Sequence, residues 1–226
     1  MQSHFSDKKE IVLGYGPLTE LPGFLNKLIR FDTLHVAMQY FSLALAGSPY
    51  MGVGRNLAYR KSLFYRNKGF IDHYTTHSGD DDLFINQTAT KQNTSIEISE
   101  ESFMFSQPKK SFNTWFFQKK RHLTTGILYQ SKHKYILGTY SVSQLFFWLM
   151  VVPASILNLN NQVLLISILS IFALRQISWY VLFKLSMNKL KEKNLLLISP
   201  ILELLMIFLV PLIAFTNIFS KNIKWK

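Results

Sequence analysis

The sequence predicts an α/β domain followed by about three transmembrane α-helices. Three observations carry this. Long apolar segments are confined to the second half of the 226-residue chain. The charge divides near the same place: residues 1–102 hold 10 Lys and Arg against 11 Asp and Glu, a net of −1, whereas residues 103–226 hold 15 against 2, a net of +13. The first half also alternates short glycine-bounded apolar runs with segments of helical period.

In chain order, Ile11 to Gly16 reads as a strand ended by Gly16 and Pro17. Pro22 to Ala46 reads as a long helix, with Phe24, Leu25, Leu28, Ile29 and Val36 on its apolar stripe. Tyr50 to Tyr59 reads as a strand whose glycines, Gly52 and Gly54, admit a ligand or another backbone. The triplet Asp80, Asp81 and Asp82 stands directly before an apolar run. Such carboxylates can accept a proton from an attacking hydroxyl or hold a divalent cation, and they equally suit a helix N-terminus. His73 and His77, four apart, could form a metal pair, with hydrogen-bonded or exposed histidines as the ordinary alternative. Thr94 to Ile98 alternates like a strand. Ser111 to His133 sets Phe112, Trp115, Phe116 and Phe117 against Lys119, Lys120 and Arg121, the pattern of a helix lying on a membrane surface.

The predicted organisation is a soluble part at 1–134, with the surface helix at 111–133, then spans at 135–157, 163–183 and 195–219. The third span is either transmembrane or re-entrant, with kinks expected at Pro200 and Pro211. The Lys-rich loop at 184–193 should face the cytoplasm, which places residues 1–134 there too. A fully crossing third span would then send the basic tail (Lys221, Lys224, Lys226) outward against that rule. Arg175 and Glu203 are the charges inside the spans, and they are expected to pair, because a lone charge in hydrocarbon is costly.

Composition excludes several classes. A chain that is 48% hydrophobic is too apolar to be disordered. Without Cys there is no disulfide scaffold, thiolate metal site or Cys nucleophile. The basic residues are interwoven with apolar segments rather than forming a separate aromatic-interleaved module, which favours membrane lipids over nucleic acid as the partner. Met1 to Glu10 is polar and lacks the apolar centre of a secretory signal.

The order of GRNLAYR, GDDDLF, QKKRH and apolar spans resembles the C-terminal half of membrane-bound family 2 glycosyltransferases, the group of cellulose and hyaluronan synthases, and within it the bacterial, non-polymerising members. That resemblance implies a partial GT-A-like domain in a bacterial inner membrane, with its soluble part cytoplasmic. It implies a catalytic base at Asp80, or at Asp81 if the motif carries a one-residue gap. Gly54, Arg55 and Asn56 would line the acceptor site. Gln118, Arg121 and His122 would occupy the family's Gln-x-x-Arg-Trp motif, with His122 in the place of Trp. Arg121 would steady the leaving diphosphate, and Asp82 completes the acidic motif as a substrate-binding residue. The family's nucleotide-sugar half and its Asp-x-Asp, which carries a divalent cation (Mg or Mn), have no counterpart before Ile11. The expectation is a transferase fragment, completed by a separately encoded donor half. The alternatives are a non-catalytic remnant or membrane partner of an intact transferase, or a three-span protein whose basic helix binds anionic lipid.

Overall fold

The computed structural model describes residues 1–71 and 79–219. His73 and His77, and the tail lysines 221, 224 and 226, lie outside the described residues.

Strand β1 (Ile11–Gly14) is the middle of a three-stranded sheet. It pairs antiparallel with β2 (Leu57–Tyr59), Ile11 opposite Tyr59, and parallel with β3 (Thr94–Glu97), Ile11 opposite Thr94. Ile11, Val12 and Leu13 are fully buried, as a strand covered on both faces demands. Helix α1 (Phe24–Leu45) packs on the sheet, and its Tyr40 hydroxyl donates to the Gly14 carbonyl at 2.8 Å. An aromatic cluster of Tyr59, Phe64, Phe70 and Phe84 joins β2 to helices α2 (Lys61–Arg66) and α3 (Asp80–Thr88).

Two expected elements are reshaped. Only Leu57–Tyr59 of the expected strand at 50–59 pairs, because residues Gly54–Asn56 form a 3-10 turn. The Asn56 amide pins that turn, donating to the Tyr15 carbonyl at 2.7 Å and the Ser102 carbonyl at 2.8 Å. The surface helix α4 runs Phe112–Thr125 and then breaks through a 3-10 turn at Gly126–Leu128. Lys132 and His133 therefore belong to the next helix, α5 (Ser131–Leu157).

Helix α5 and helix α6 (Gln162–Lys189) form a hairpin joined by the Asn-rich turn, where the Asn161 side chain caps α6. Helix α7 (Ser199–Phe219) follows, with Pro200 in its first turn, where a missing N–H costs no helical hydrogen bond, and Pro211 inside it. All three are long and apolar enough to cross a membrane.

The soluble and apolar parts are interlocked. In the loop before α7, Arg30 Nη2 reaches Glu192 Oε2 at 2.6 Å and the Lys193 carbonyl at 3.0 Å. The Tyr15 hydroxyl donates to Glu192 Oε1 at 2.8 Å. The Arg30 and Glu192 side chains are 4% and 3% exposed. This places the Lys-rich loop on the same side as the α/β domain. The far end of α7 returns to the same layer, since Asn217 Nδ2 donates to the Lys120 carbonyl of α4 at 3.0 Å. Leu202, Met206 and Ile213 of α7 are buried. Helix α7 thus lies along the junction between the α/β layer and the α5–α6 hairpin, with the loop before it and its far end tied to that layer.

The Arg175–Glu203 pair forms, Nη1 to Oε2 at 3.0 Å, and the second guanidinium nitrogen engages Oε1 and the Gln144 side chain. Arg175 lies 14 positions before Lys189 at the end of α6, whereas Glu203 lies 4 positions after Ser199 at the start of α7. They meet because α7 begins alongside the middle of the hairpin.

Candidate functional site

A cleft of ≈ 600 Å³ opens between α1, the turn at Gly54–Asn56, the start of α3 and helix α4. Three segments far apart in sequence converge on it: Gly54 and Arg55; Asp80, Asp81 and Asp82; and Gln118, Arg121 and His122. Asn56 is the one residue of the expected set that does not line it. It is buried beneath the turn and holds the backbone instead, a role set by its two carbonyl partners rather than by any substrate.

The acidic triplet forms the first turn of α3. Carboxylates there sit over unpaired amide groups at the positive end of the helix dipole, which offsets part of their mutual repulsion. Gly79 caps the helix in the left-handed region at φ 80°, and a Cβ at that position would come within 2.6 Å of Thr125 Oγ1. Glycine is therefore needed for both the backbone and the approach of α4. This fit brings the end of α4 against the start of α3.

The three carboxylates have different surroundings. Asp80 is exposed at the cleft. Asp81 is half-buried and accepts from the backbone N–H groups of Asp82 and Gly54. Burial raises its pKa above the ordinary carboxylate value, while those N–H groups pull the other way. Gly54 leaves no room for a side chain here, because a Cβ would overlap Asp81 Oδ2. Asp82 is the deepest, and burial, then the Asp81 charge, pushes its pKa well above the usual range. The Tyr129 hydroxyl approaches Asp82 Oδ2 at 3.4 Å.

The opposite wall is basic. Arg55 Nη2 donates to the Gly16 carbonyl at 2.6 Å, which fixes its stem at the rim. Lys119 Nζ binds Asp32 Oδ1 of α1 at 2.6 Å, which ties α4 to α1. Arg121 and Gln118 line the cleft, and Lys109 stands at its edge. His122 is an exposed side chain on the wall of this cleft and of an adjoining cavity. Its packing there, with the Lys119 and Arg121 charges beside it, lowers its pKa. The imidazole is therefore neutral at neutral pH.

Sequence reasoning missed three residues that shape this site. Asp32 is an acid in an otherwise apolar helix stripe, and that oddity was its only signal. Tyr129 and Asn86 gave none. Asn86 is a hub on the buried face of α3: Nδ2 donates to the Tyr50 carbonyl at 2.9 Å, and Oδ1 accepts from the Gln130 N–H at 2.7 Å.

The described residues do not form a cation site. No group of three or more His, Asp or Glu side chains among them could hold a metal ion, and Asp81 and Asp82 are turned toward Gly54 and Tyr129.

An acidic turn facing Arg, Gln and a neutral His across a cleft suits proton removal from a hydroxyl beside a site for an anionic leaving group. No curated protein matches the chain. A family model described as glycosyl transferase family group 2 matches residues 22–218, which includes every residue that lines the cleft but Leu18.

Proposed function

The chain belongs to glycosyl transferase family group 2, and from that premise we propose that it transfers a sugar from a nucleotide-sugar donor to an acceptor hydroxyl. The observation that carries the proposal is the convergence of the Gly54 turn, the aspartate turn and the Gln118–His122 face on one cleft.

Asp80 is assigned as the base. It is the exposed member of the triplet and the one that the family motif, counted back from Leu83, selects. It removes the acceptor proton as that oxygen attacks the anomeric carbon, and the bond to the nucleoside diphosphate breaks with its electron pair going to the leaving group. Arg121 and Gln118 receive the charge that develops on the diphosphate. Asp81 positions the Gly54 turn through the backbone N–H that it accepts. Gly54 and Arg55 line the acceptor side, with the neutral His122 offering a ring face where the family has Trp.

Donor binding and the cation site are assigned to a partner half of the kind that the family resemblance implies. The α5–α6 hairpin is assigned as two crossings of a bacterial inner membrane, with α7 re-entrant, starting beside the middle of the hairpin and returning to the cytoplasmic side. The tying of the loop before α7 and of its far end to the α/β layer supports that topology. The basic tail then stays on the cytoplasmic side, in keeping with the preference of cationic segments for it.

The test is transfer from radiolabelled nucleoside-diphosphate sugars by the full chain in nanodiscs, with and without the protein encoded immediately upstream. Asp80→Asn should lower the rate by about 10²–10⁴-fold, and Asp81→Asn by less. A larger loss for Asp81→Asn would exchange the two roles. No transfer under either condition would establish the non-catalytic reading.

A further inference from the structure

We propose that a second cavity of this chain holds the hydrocarbon chain of a hydroxyl-bearing membrane lipid and presents its head group to the aspartate cleft. The assignment of that head group as the acceptor rests on the glycosyl-transfer reading above.

The cavity has a volume of ≈ 560 Å³, within the range of about 300–1,000 Å³ usual for small-molecule sites. It adjoins the cleft and shares Asp82, Lys119 and His122 with it, so a molecule filling it would have one end beside the aspartates. Away from that end Leu123 of α4, Leu137 of α5, and Met206, Ile207 and Val210 of α7 form an apolar strip of its wall.

Polar groups reach the wall as well, Gln39 among them, and the protein engages several of the others. Glu203 is bound by Arg175, which also takes the Gln144 side chain. The Tyr140 hydroxyl lies 2.9 Å from His35 Nε2. A free sugar would need several hydrogen-bonding groups for its hydroxyls, and each buried hydroxyl left without one costs free energy. An alkyl chain needs none. The location agrees with this, because the cavity is walled by α5 and α7, whose outer residues Val142, Phe146, Phe208 and Leu212 expose apolar side chains to the surroundings.

Two wall residues add an independent observation. Gly126 and Gly138 both line the cavity, and a Cβ at either would meet nothing within 4 Å. Gly138 stands inside α5 without a positive φ. Glycine in a helix interior costs about 1 kcal/mol relative to alanine, and no local backbone demand or close contact explains it there. What it provides is width in the cavity.

The test uses the full chain in phosphatidylcholine nanodiscs with no nucleotide sugar present. The probe is a diacylglycerol carrying a diazirine and an alkyne on one acyl chain, and labelled peptides are mapped after illumination. Labelling should concentrate on residues 123–128 and 204–211 and be competed by unlabelled diacylglycerol. Gly138→Phe, which fills open space in a helix that it should also strengthen, should cut that labelling at least tenfold. Labelling of the outer face around Phe146 should persist. Gly126→Phe supplies the same obstruction from the opposite wall. Labelling confined to the outer faces and equal in all three proteins, or displaced as well by maltose as by diacylglycerol, would overturn the proposal. Lipid capture without any sugar transfer would leave this cavity standing and sink the transferase reading; transfer to a soluble sugar without lipid capture would do the reverse.

Discussion

Arg30 and Glu192 offer the sharpest test of how the α/β layer is held to the membrane helices. Their side chains are 4% and 3% exposed. Arg30 Nε lies 3.1 Å and Nη2 2.6 Å from Glu192 Oε2, and Nη1 stands 3.2 Å from Glu20, off the hydrogen-bond line. Glu192→Leu leaves a guanidinium that cannot lose its proton and a buried Tyr15 hydroxyl without its acceptor. Stranding one member of a buried pair costs about 3–5 kcal/mol. Arg30→Met is milder, because a carboxylate can escape by protonation. Burial raises the Glu192 pKa and Arg30 is the largest influence against it, so removing Arg30 lets burial act alone. A folded-state pKa above the unfolded one gives stability that is present at low pH and lost as pH rises, so Arg30→Met should be more stable at pH 5 than at pH 8. In the double variant no charge is stranded. Its cost should be near that of the unpaired Tyr15 hydroxyl, about 1–3 kcal/mol, well below the sum of the singles. Chemical denaturation of the four proteins in one detergent measures the cycle. Additivity within about 0.5 kcal/mol, or an Arg30→Met protein that weakens on acidification, would refute the reasoning.

Gly79→Ala forces a left-handed alanine, at about 1–2 kcal/mol, and drives its Cβ into Thr125; the thermal melt should fall and Thr125→Ala should recover part of the loss. Glu203→Ala strands Arg175 among apolar helices at about 2.5–3.5 kcal/mol and should lower the monodisperse yield on size exclusion. The exchange Arg175→Glu with Glu203→Arg should restore only part of it, because the cation also packs on Phe147 and Trp148 at 5.4 and 5.6 Å. His35 is packed against Phe31, Tyr140 and Trp179, and burial lowers its pKa to about 4. The unfolded chain then binds the extra proton, so stability is full above about pH 6.5 and falls toward pH 4, by up to about 3 kcal/mol; His35→Gln should flatten that slope in melts taken across the range.

What the sequence made legible was what local rules control. The aspartate triplet announced a helix start because three acids suit an N-terminus, and the apolar helices followed from period and length; of the expected α1 stripe Leu28 and Ile29 are buried, but Phe24 is exposed. The Arg175–Glu203 pair was legible because a charge in hydrocarbon has few ways to be satisfied. Glu192 sat in a Lys-rich loop where a solvated acid is ordinary, and nothing local said that Arg30, 162 positions earlier, would bury it. The two faces of α4 suggested a lipid-facing helix, but Trp115 is 2% exposed and turned into the protein. Asn56 looked like a ligand-facing residue until the carbonyls of Tyr15 and Ser102, from two other segments, claimed its amide.

The core that surrounds β1 includes Phe183, Leu195, Leu202 and Met206 alongside Ile11 and Leu13. Phe183, Leu195, Leu202 and Met206 leave the ribosome long after the strand that they help to cover. The N-terminal segments therefore cannot reach their final packing while they are being made, and the hairpin must enter the bilayer beside a domain that is still open. Biogenesis of this chain is a single event in which insertion and folding wait for each other. A stop codon that removes α7 should release an unfinished soluble part with apolar surface uncovered, a substrate for membrane quality-control proteases rather than a shorter enzyme.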